Sequence, residues 1–260
     1  MHKGNLEEMK AWFAGFCRQH ALPDPGEQQN LAMKEQHTHN VCDNMREITA
    51  SIGFPPEEAM IAEMVALFHD VGRFVQYARY RTFRDDQSEN HAALSVSALE
   101  DNNVLAGIPE NEQTLIKIAV RFHNVFAIPD LGDERQVQHL KLIRDADKID
   151  ILRVFIDAYE GKEKPSAIGL GLPESDDYSP EAIQAIMRRE IFALKKLTSI
   201  NDFRLLQISW MFDLNFTQSV RIMHSRDYPR RIAAHLPQTD EIRTAVDFVM
   251  RCMEERIANG

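Results

Sequence analysis

Apolar residues recur three and four positions apart along almost the whole chain, and no run alternates with the period of two that a half-buried strand needs. Near the C-terminus Ile242, Val246, Val249, Met253 and Ile257 line one face of a predicted helix, with Thr239 or Asp240 as its cap. Ser179 followed by Pro180 opens another, in "SPEAIQAIM" at 179–187. Breakers stand between the periodic segments: "ALPDPGE" at 21–27, "GFPP" at 53–56, "GIPEN" at 107–111 and "IPDLGDE" at 128–134. The longest irregular stretch covers 161–180 and divides a part rich in His and Asp from a helical part with few reactive groups. There are no repeats and no low-complexity tracts. The expected class is all-α: a single domain over 1–260, with residues 180–260 as additional C-terminal helices.

Several polar residues interrupt the apolar faces. In "ALFHDVGRF" at 66–74 an apolar run continues into His69 and Asp70, and a glycine then stops it. Burying either group without a partner would cost several kcal/mol. In "MKEQHTHNVCDNMREI" the apolar face runs Met33, His37, Val41, Met45, Ile48, so His37 points inward, whereas His39, about 200° further round, points outward. His123 falls on the face of Ile116, Ala119 and Val120, and His91 shares one with Leu94, Ser95 and Ala98. In "LKLIRDADKIDILRVF" Asp147 shares a face with Ile143, Ile151 and Val154, although spacing alone leaves Asp145 open as well.

Taken singly, each of these has a plain structural reading. A lone inward histidine is usually a hydrogen-bonded core residue, and Asp145, Asp147 and Asp150 could form a solvated face. Jointly, four inward histidines and two inward aspartates call for one shared partner, and a divalent cation satisfies them together. A mixed imidazole and carboxylate set suits Mn, Fe, Co, Ni or Zn better than Ca or Mg.

Bulk composition narrows the rest. The 260 residues carry a net charge of −10, which disfavours binding to a nucleic acid duplex. Cys17, Cys42 and Cys252 are odd in number and never paired as CxxC, which argues against a disulfide framework and a thiolate zinc site. Cys42 reads as a small core residue. No apolar run reaches the ~20 residues of a membrane span, and the first residues lack the apolar region of a signal peptide. A cytoplasmic protein with no membrane partner is expected.

The ordered set His37 … His69-Asp70 … His91 … His123 … Asp147 resembles the HD-domain superfamily of metal-dependent phosphohydrolases. "KEQHTHNV" resembles its K-x-x-H-x-x-x-V, "ALFHDVGRF" its ALLHDIGK/R, and "RDADKID" its ADxxD. "NHAALS" resembles its D-H-x-x-x-G element with serine in place of glycine. The likeness spans roughly 28–155 and looks like an uncharacterised bacterial branch. No GYP motif follows the HD pair, which argues against a cyclic di-GMP phosphodiesterase.

The resemblance implies an HD-domain helical fold and one or two divalent metal ions held by His37, His69, Asp70 and Asp147. His91 and His123 would complete a second position, with Asp70 bridging and Asp147 preferred to Asp145 by the family register. The implied reaction is hydrolysis of a phosphate ester or anhydride of a small, nucleotide-like substrate by a metal-bound hydroxide. Asp70 and Arg73 would be catalytic, and Arg73, Lys34 and Lys148 would contact the phosphate. For Arg73, pairing with a nearby carboxylate is an equal alternative, and the lysines could simply be solvated. Two other readings keep the metal: a di-iron oxygenase of the same superfamily, or a metal and nucleotide-binding module without turnover. The stretch "ISWMFDLNF" at 208–216 and the Met-rich helices could bury a core or a homodimer interface.

Overall fold

The structure is a computed structural model that describes residues 3–162 and 171–260. Among them there is no strand, and the all-α class holds. Of the irregular stretch 161–180, residues 163–170 lie outside the described residues. The chain forms two compact units that divide after Asp150.

The first unit is built from α1 (Lys3–Gln19), α2 (Pro25–Ser51), α3 (Pro56–Phe68), α4 (Gly72–Tyr80), α5 (His91–Asp101), α6 (Glu110–Phe122) and the first part of α7 (Glu134–Tyr159). Its centre is α3, where every residue from Ile61 to Phe68 is buried. A helix that is apolar all round has to be enclosed, and α1, α2 and α6 pack against it. Each side chain of the Val, Leu or Phe class there contributes about 1.5–3 kcal/mol by leaving water. The one acid among them, Glu63, is compensated by Lys10 at 3.0 Å and Arg46 at 2.8 Å.

Local chemistry sets the helix ends. Asp24 caps α2 by accepting from the Glu27 amide at 2.8 Å, with Pro25 at the first turn. Asn90 caps α5 through the Ala93 amide at 3.0 Å. The glycine of "HDVGRF" does more than stop a helix: α3 has already ended at Phe68, and Gly72 opens α4. A Cβ at Gly72 would stand 2.2 Å from the His91 carbonyl oxygen and 2.5 Å from the Ser95 amide nitrogen, so only glycine lets α5 lie this close. That approach carries His91 to the HD pair.

The second unit contains α8 (Pro180–Met187), α9 (Ile200–Ser209), α10 (Thr217–Ser225), α11 (Tyr228–Ala233) and α12 (Asp240–Asn259). Thr239 caps α12, accepting from the Ile242 amide at 3.3 Å. Ser179 stands at the start of α8, but its hydroxyl donates to Asp202 at 2.8 Å instead of capping the helix. Asp202, fully buried in α9, also accepts the Ser179 and Thr198 amides at 2.7 and 2.9 Å and the Thr198 hydroxyl at 2.8 Å.

Candidate metal centre

Five elements or element ends deliver the six polar side chains singled out above. His37 lies mid-way along the buried face of α2, with Met33, Val41, Met45 and Ile48, and His39 is exposed. His69 is the residue after α3 and Asp70 follows it; His91 is the first residue of α5, and His123 is the residue after α6. All five are buried, while Asp147 of α7 keeps a side-chain exposure of 14% and leaves the cluster open on that side.

The imidazoles meet in two pairs through their Nε2 atoms, His37 with His69 at 3.4 Å and His91 with His123 at 3.1 Å. Asp70 stands between the pairs. Its Oδ2 lies 3.7 Å from His37 Nε2 and 3.9 Å from His69 Nε2, and its Oδ1 lies 3.5 and 3.9 Å from the Nε2 atoms of His91 and His123. Asp147 Oδ1 joins the first pair at 3.1 Å from His37 and 3.6 Å from His69. Each triplet, His37–His69–Asp70 and Asp70–His91–His123, gathers its ligand atoms within 4.8 Å of one another and could hold a metal ion.

The far nitrogen of each ring tests whether the residues fit a cation. His69 Nδ1 faces the Ala66 carbonyl at 2.7 Å, and His123 Nδ1 faces the Val120 carbonyl at 2.8 Å. A carbonyl only accepts, so both rings carry their proton on Nδ1 and, when neutral, turn a bare Nε2 lone pair inward. His37 Nδ1 is held by Asp150 at 2.7 Å, and His91 Nδ1 by Asp85 at 2.7 Å. Four nitrogens converging from rings whose other nitrogens are all occupied are what an imidazole-bound metal requires. Lone pairs facing each other at these distances repel unless a positive charge lies between them.

Charge in the cluster is consistent with that. Burial pushes the Asp70 carboxyl up, but Lys34, Arg73 and the neighbouring imidazoles outweigh it and hold the group ionised, well below the usual carboxylate range. Burial, with His91 and His69 beside it, pushes His123 down to about 3, so it is neutral at pH 7. His91 is lowered by burial and by Arg73. His37 goes the other way: burial would lower it, yet its bonds to Asp147 and Asp150 raise it to about 9.

Residues 35–152 match the family model of the HD domain. The chain carries an HD domain over that stretch. No curated protein and no solved structure matches it. The family is generally one of metal-dependent hydrolases, in keeping with the buried His and Asp groups.

Within this HD domain the cationic side chains have defined partners. Lys34 Nζ donates to Asp70 Oδ2 at 2.9 Å. Arg73 donates through Nε to Asp70 Oδ1 at 3.3 Å and through Nη1 to Asp85 at 3.1 Å, Gln76 at 3.0 Å and the Phe83 carbonyl. Its pairing with carboxylates and its place beside Asp70 therefore coexist. Lys148 is half-buried on α7 beside Asp147. Asp145 and Asp150 are fully buried, which removes the solvated-face reading of that helix. Cys42 is buried and its thiol is pushed up to about 12 by that burial, as for a packing residue.

Three further residues hold the site in place, and sequence reasoning assigned none of them that role. Asp150 stands one turn beyond Asp147 on α7, a spacing that could have identified it. Asp85 lies in the loop before α5 and accepts from His91, Arg73 and Gln76, with Asn124 at 3.4 Å. No local pattern marks it. Ser95, which replaces the family's glycine, donates to the His69 carbonyl and accepts from the Gly72 amide, both at 2.8 Å. Its hydroxyl thus pins the turn that carries the HD pair to α5.

Proposed function

We propose that this protein is a metal-dependent phosphohydrolase acting on a small phosphate ester or anhydride, with His37, His69, Asp70 and Asp147 at one metal position and Asp70, His91 and His123 at the other. The observation that carries the reading is the convergence of four oriented imidazole nitrogens on both oxygens of one ionised carboxylate. A bound divalent cation would supply a water acidified toward neutral pH and positive charge for phosphoryl oxygens.

The chain's own groups do the positioning. Asp70 holds its two oxygens toward separate imidazole pairs, and Lys34 and Arg73 fix that orientation from opposite sides. Both cations keep a side-chain exposure of 15%, so they border the accessible side of Asp70. Among the described residues Arg73 Nη2 donates to no protein atom, which leaves part of its fork for a phosphoryl oxygen. The two cations also keep the buried Asp70 carboxylate charged.

The deciding experiment measures metal content on the full chain purified without chelator or nickel resin, then turnover of a panel of phosphate mono- and diesters. About two equivalents of a transition metal, with release of inorganic phosphate from a monoester or of an alcohol and a monoester from a diester, support the reading. No metal after reconstitution removes it, and oxygen consumption in place of phosphate release replaces it with the oxygenase chemistry.

A further inference from the structure

The second unit holds charged side chains that the candidate metal centre does not use. An open cavity of about 620 Å³ is lined by α9 and by segments 174–176 and 234–238, all within this unit. That is a size typical of small-molecule sites. Asn201 and Arg204, one turn apart on α9, both line it, and Asn201 Oδ1 accepts from Arg204 Nη1 at 2.8 Å. The guanidinium carbon stands 4.8 Å from the centroid of the Tyr159 ring. Tyr159 is itself fixed, its hydroxyl donating to buried Gln207 at 3.0 Å.

The other donors of Arg204, Nε and Nη2, form the side-on edge of its fork. Among the described residues neither finds a protein acceptor, and Nε is also shielded from water. A donor in that condition is costly to leave unbonded, and this edge matches a carboxylate bidentately. His235, whose ring lies 5.7 Å from that of Tyr159, is pushed below its ordinary pKa by burial and by Arg204. It is neutral at pH 7, so Arg204 is the one positive charge on the cavity wall.

Negative charge stands close by. Asn201 Nδ2 donates to the carbonyls of Ser175 and Asp177 at 2.7 and 3.2 Å, so one carboxamide ties Arg204 to the segment carrying Glu174 and Asp176. Both acids are exposed, line the cavity and pair with no described residue. Ile200, Leu236 and Pro237 make the wall partly apolar, and Gln238 pins the turn before it through the Leu236 carbonyl at 2.7 Å. Two carboxylates repel a multiply charged anion such as phosphate, while the unpaired arginine attracts a single carboxylate.

We infer that this cavity binds a small zwitterion with an apolar side chain, its carboxylate on Arg204 and its ammonium toward Glu174 and Asp176. A free amino acid and a dipeptide share that chemistry. The site involves neither the metal nor the hydrolase reading.

The test is calorimetric titration of the full chain with L-leucine and with glycyl-L-leucine. Two further compounds each lack one charge of leucine: 3-methylbutylamine has no carboxylate and 4-methylpentanoate no ammonium. At least one zwitterion binds tighter than either of these by roughly tenfold or more, the worth of one charge-assisted contact. The tighter zwitterion identifies the source. Arg204→Gln removes its preference over 3-methylbutylamine, and Glu174→Gln combined with Asp176→Asn removes its preference over 4-methylpentanoate. Both acids are exposed, so the double variant keeps the fold and decides alone if Arg204→Gln does not fold. No binding of either zwitterion at millimolar concentration, binding no tighter than the singly charged compounds, or preferences unmoved in the variants overturns the inference. Tighter binding of inorganic phosphate also overturns it, because the cavity would then be a plain anion site.

Discussion

Asp85→Asn perturbs one half of the candidate metal centre without touching a ligand. In the native protein Asp85 Oδ2 takes His91 Nδ1 at 2.7 Å and Asn124 at 3.4 Å, while Oδ1 takes Arg73 at 3.1 Å, Gln76 at 2.8 Å and His91 Nδ1 again at 2.9 Å. An asparagine has one acceptor oxygen, and three donors demand it at the Oδ1 position. Its NH₂ then faces His91 and Asn124, where two donors oppose each other. His91 keeps only the longer bond, now to a neutral oxygen. Exchanging a charge-assisted hydrogen bond for a neutral one costs about 1–2 kcal/mol, which is roughly 5- to 30-fold in metal affinity. That lies in the range of about 10- to 100-fold found for outer partners of metal-bound histidines. The assay is calorimetric titration of the chelator-stripped full chain with Mn²⁺. Two binding events are expected, of which Asp85→Asn weakens one and Asp150→Asn, acting through His37, weakens the other. If Asp85→Asn leaves both events unchanged, or if both variants weaken the same event, the assignment of two positions bridged by Asp70 is wrong.

Gly72→Ala should destabilise the first unit by about 1–3 kcal/mol or more through overpacking, because its Cβ would meet the His91 carbonyl at 2.2 Å; an unchanged urea midpoint would mean that α5 does not lie this close in solution. Ser95→Ala leaves the His69 carbonyl and the Gly72 amide without their shared hydroxyl, and a loss of about 1–3 kcal/mol is expected from two buried groups left unbonded. For Asp202, burial pushes the carboxyl up, but the amides and hydroxyls of Ser179 and Thr198 prevail and hold it below its ordinary value. A depressed carboxylate stabilises the fold above its unfolded pKa of ~3.9, and that contribution is lost as pH falls through the folded value. Urea unfolding at pH 7 and pH 3 should therefore show a smaller acid-induced loss in Asp202→Asn than in the unaltered chain, and an identical loss in both would refute the role.

The helical class and the inward faces of His37, His91 and His123 were legible because helical period is a local property: which face a side chain occupies follows from its neighbours three and four away. Asp147 was preferred to Asp145 only by the family register. His37 was placed by the face it shares with Met33, Val41, Met45 and Ile48. The chemistry around Asp85 was not legible, since an aspartate in "TFRDDQSEN" becomes a partner of His91 only when α4 and α5 close against each other at Gly72. The role of Gly72 itself was misread as a stop, because a sequence shows that a Cβ is missing but not which backbone needs the space. Asp150 was written off with a solvated face although it is one turn from Asp147; the burial of α7 on that side is a tertiary fact.

His69 and His123 each follow the last residue of a helix and bond the carbonyl three positions back. These two side chains are oriented by their own segments as soon as α3 and α6 form, with no help from distant sequence. His37 and His91 take their orientation from carboxylates that lie 113 and 6 residues away. The centre is therefore oriented in two ways, half by the helix ends that carry its histidines and half by recruited carboxylates. Over evolutionary time such a centre can be silenced by a change in a recruited carboxylate and restored there, while the residues that would touch metal stay fixed.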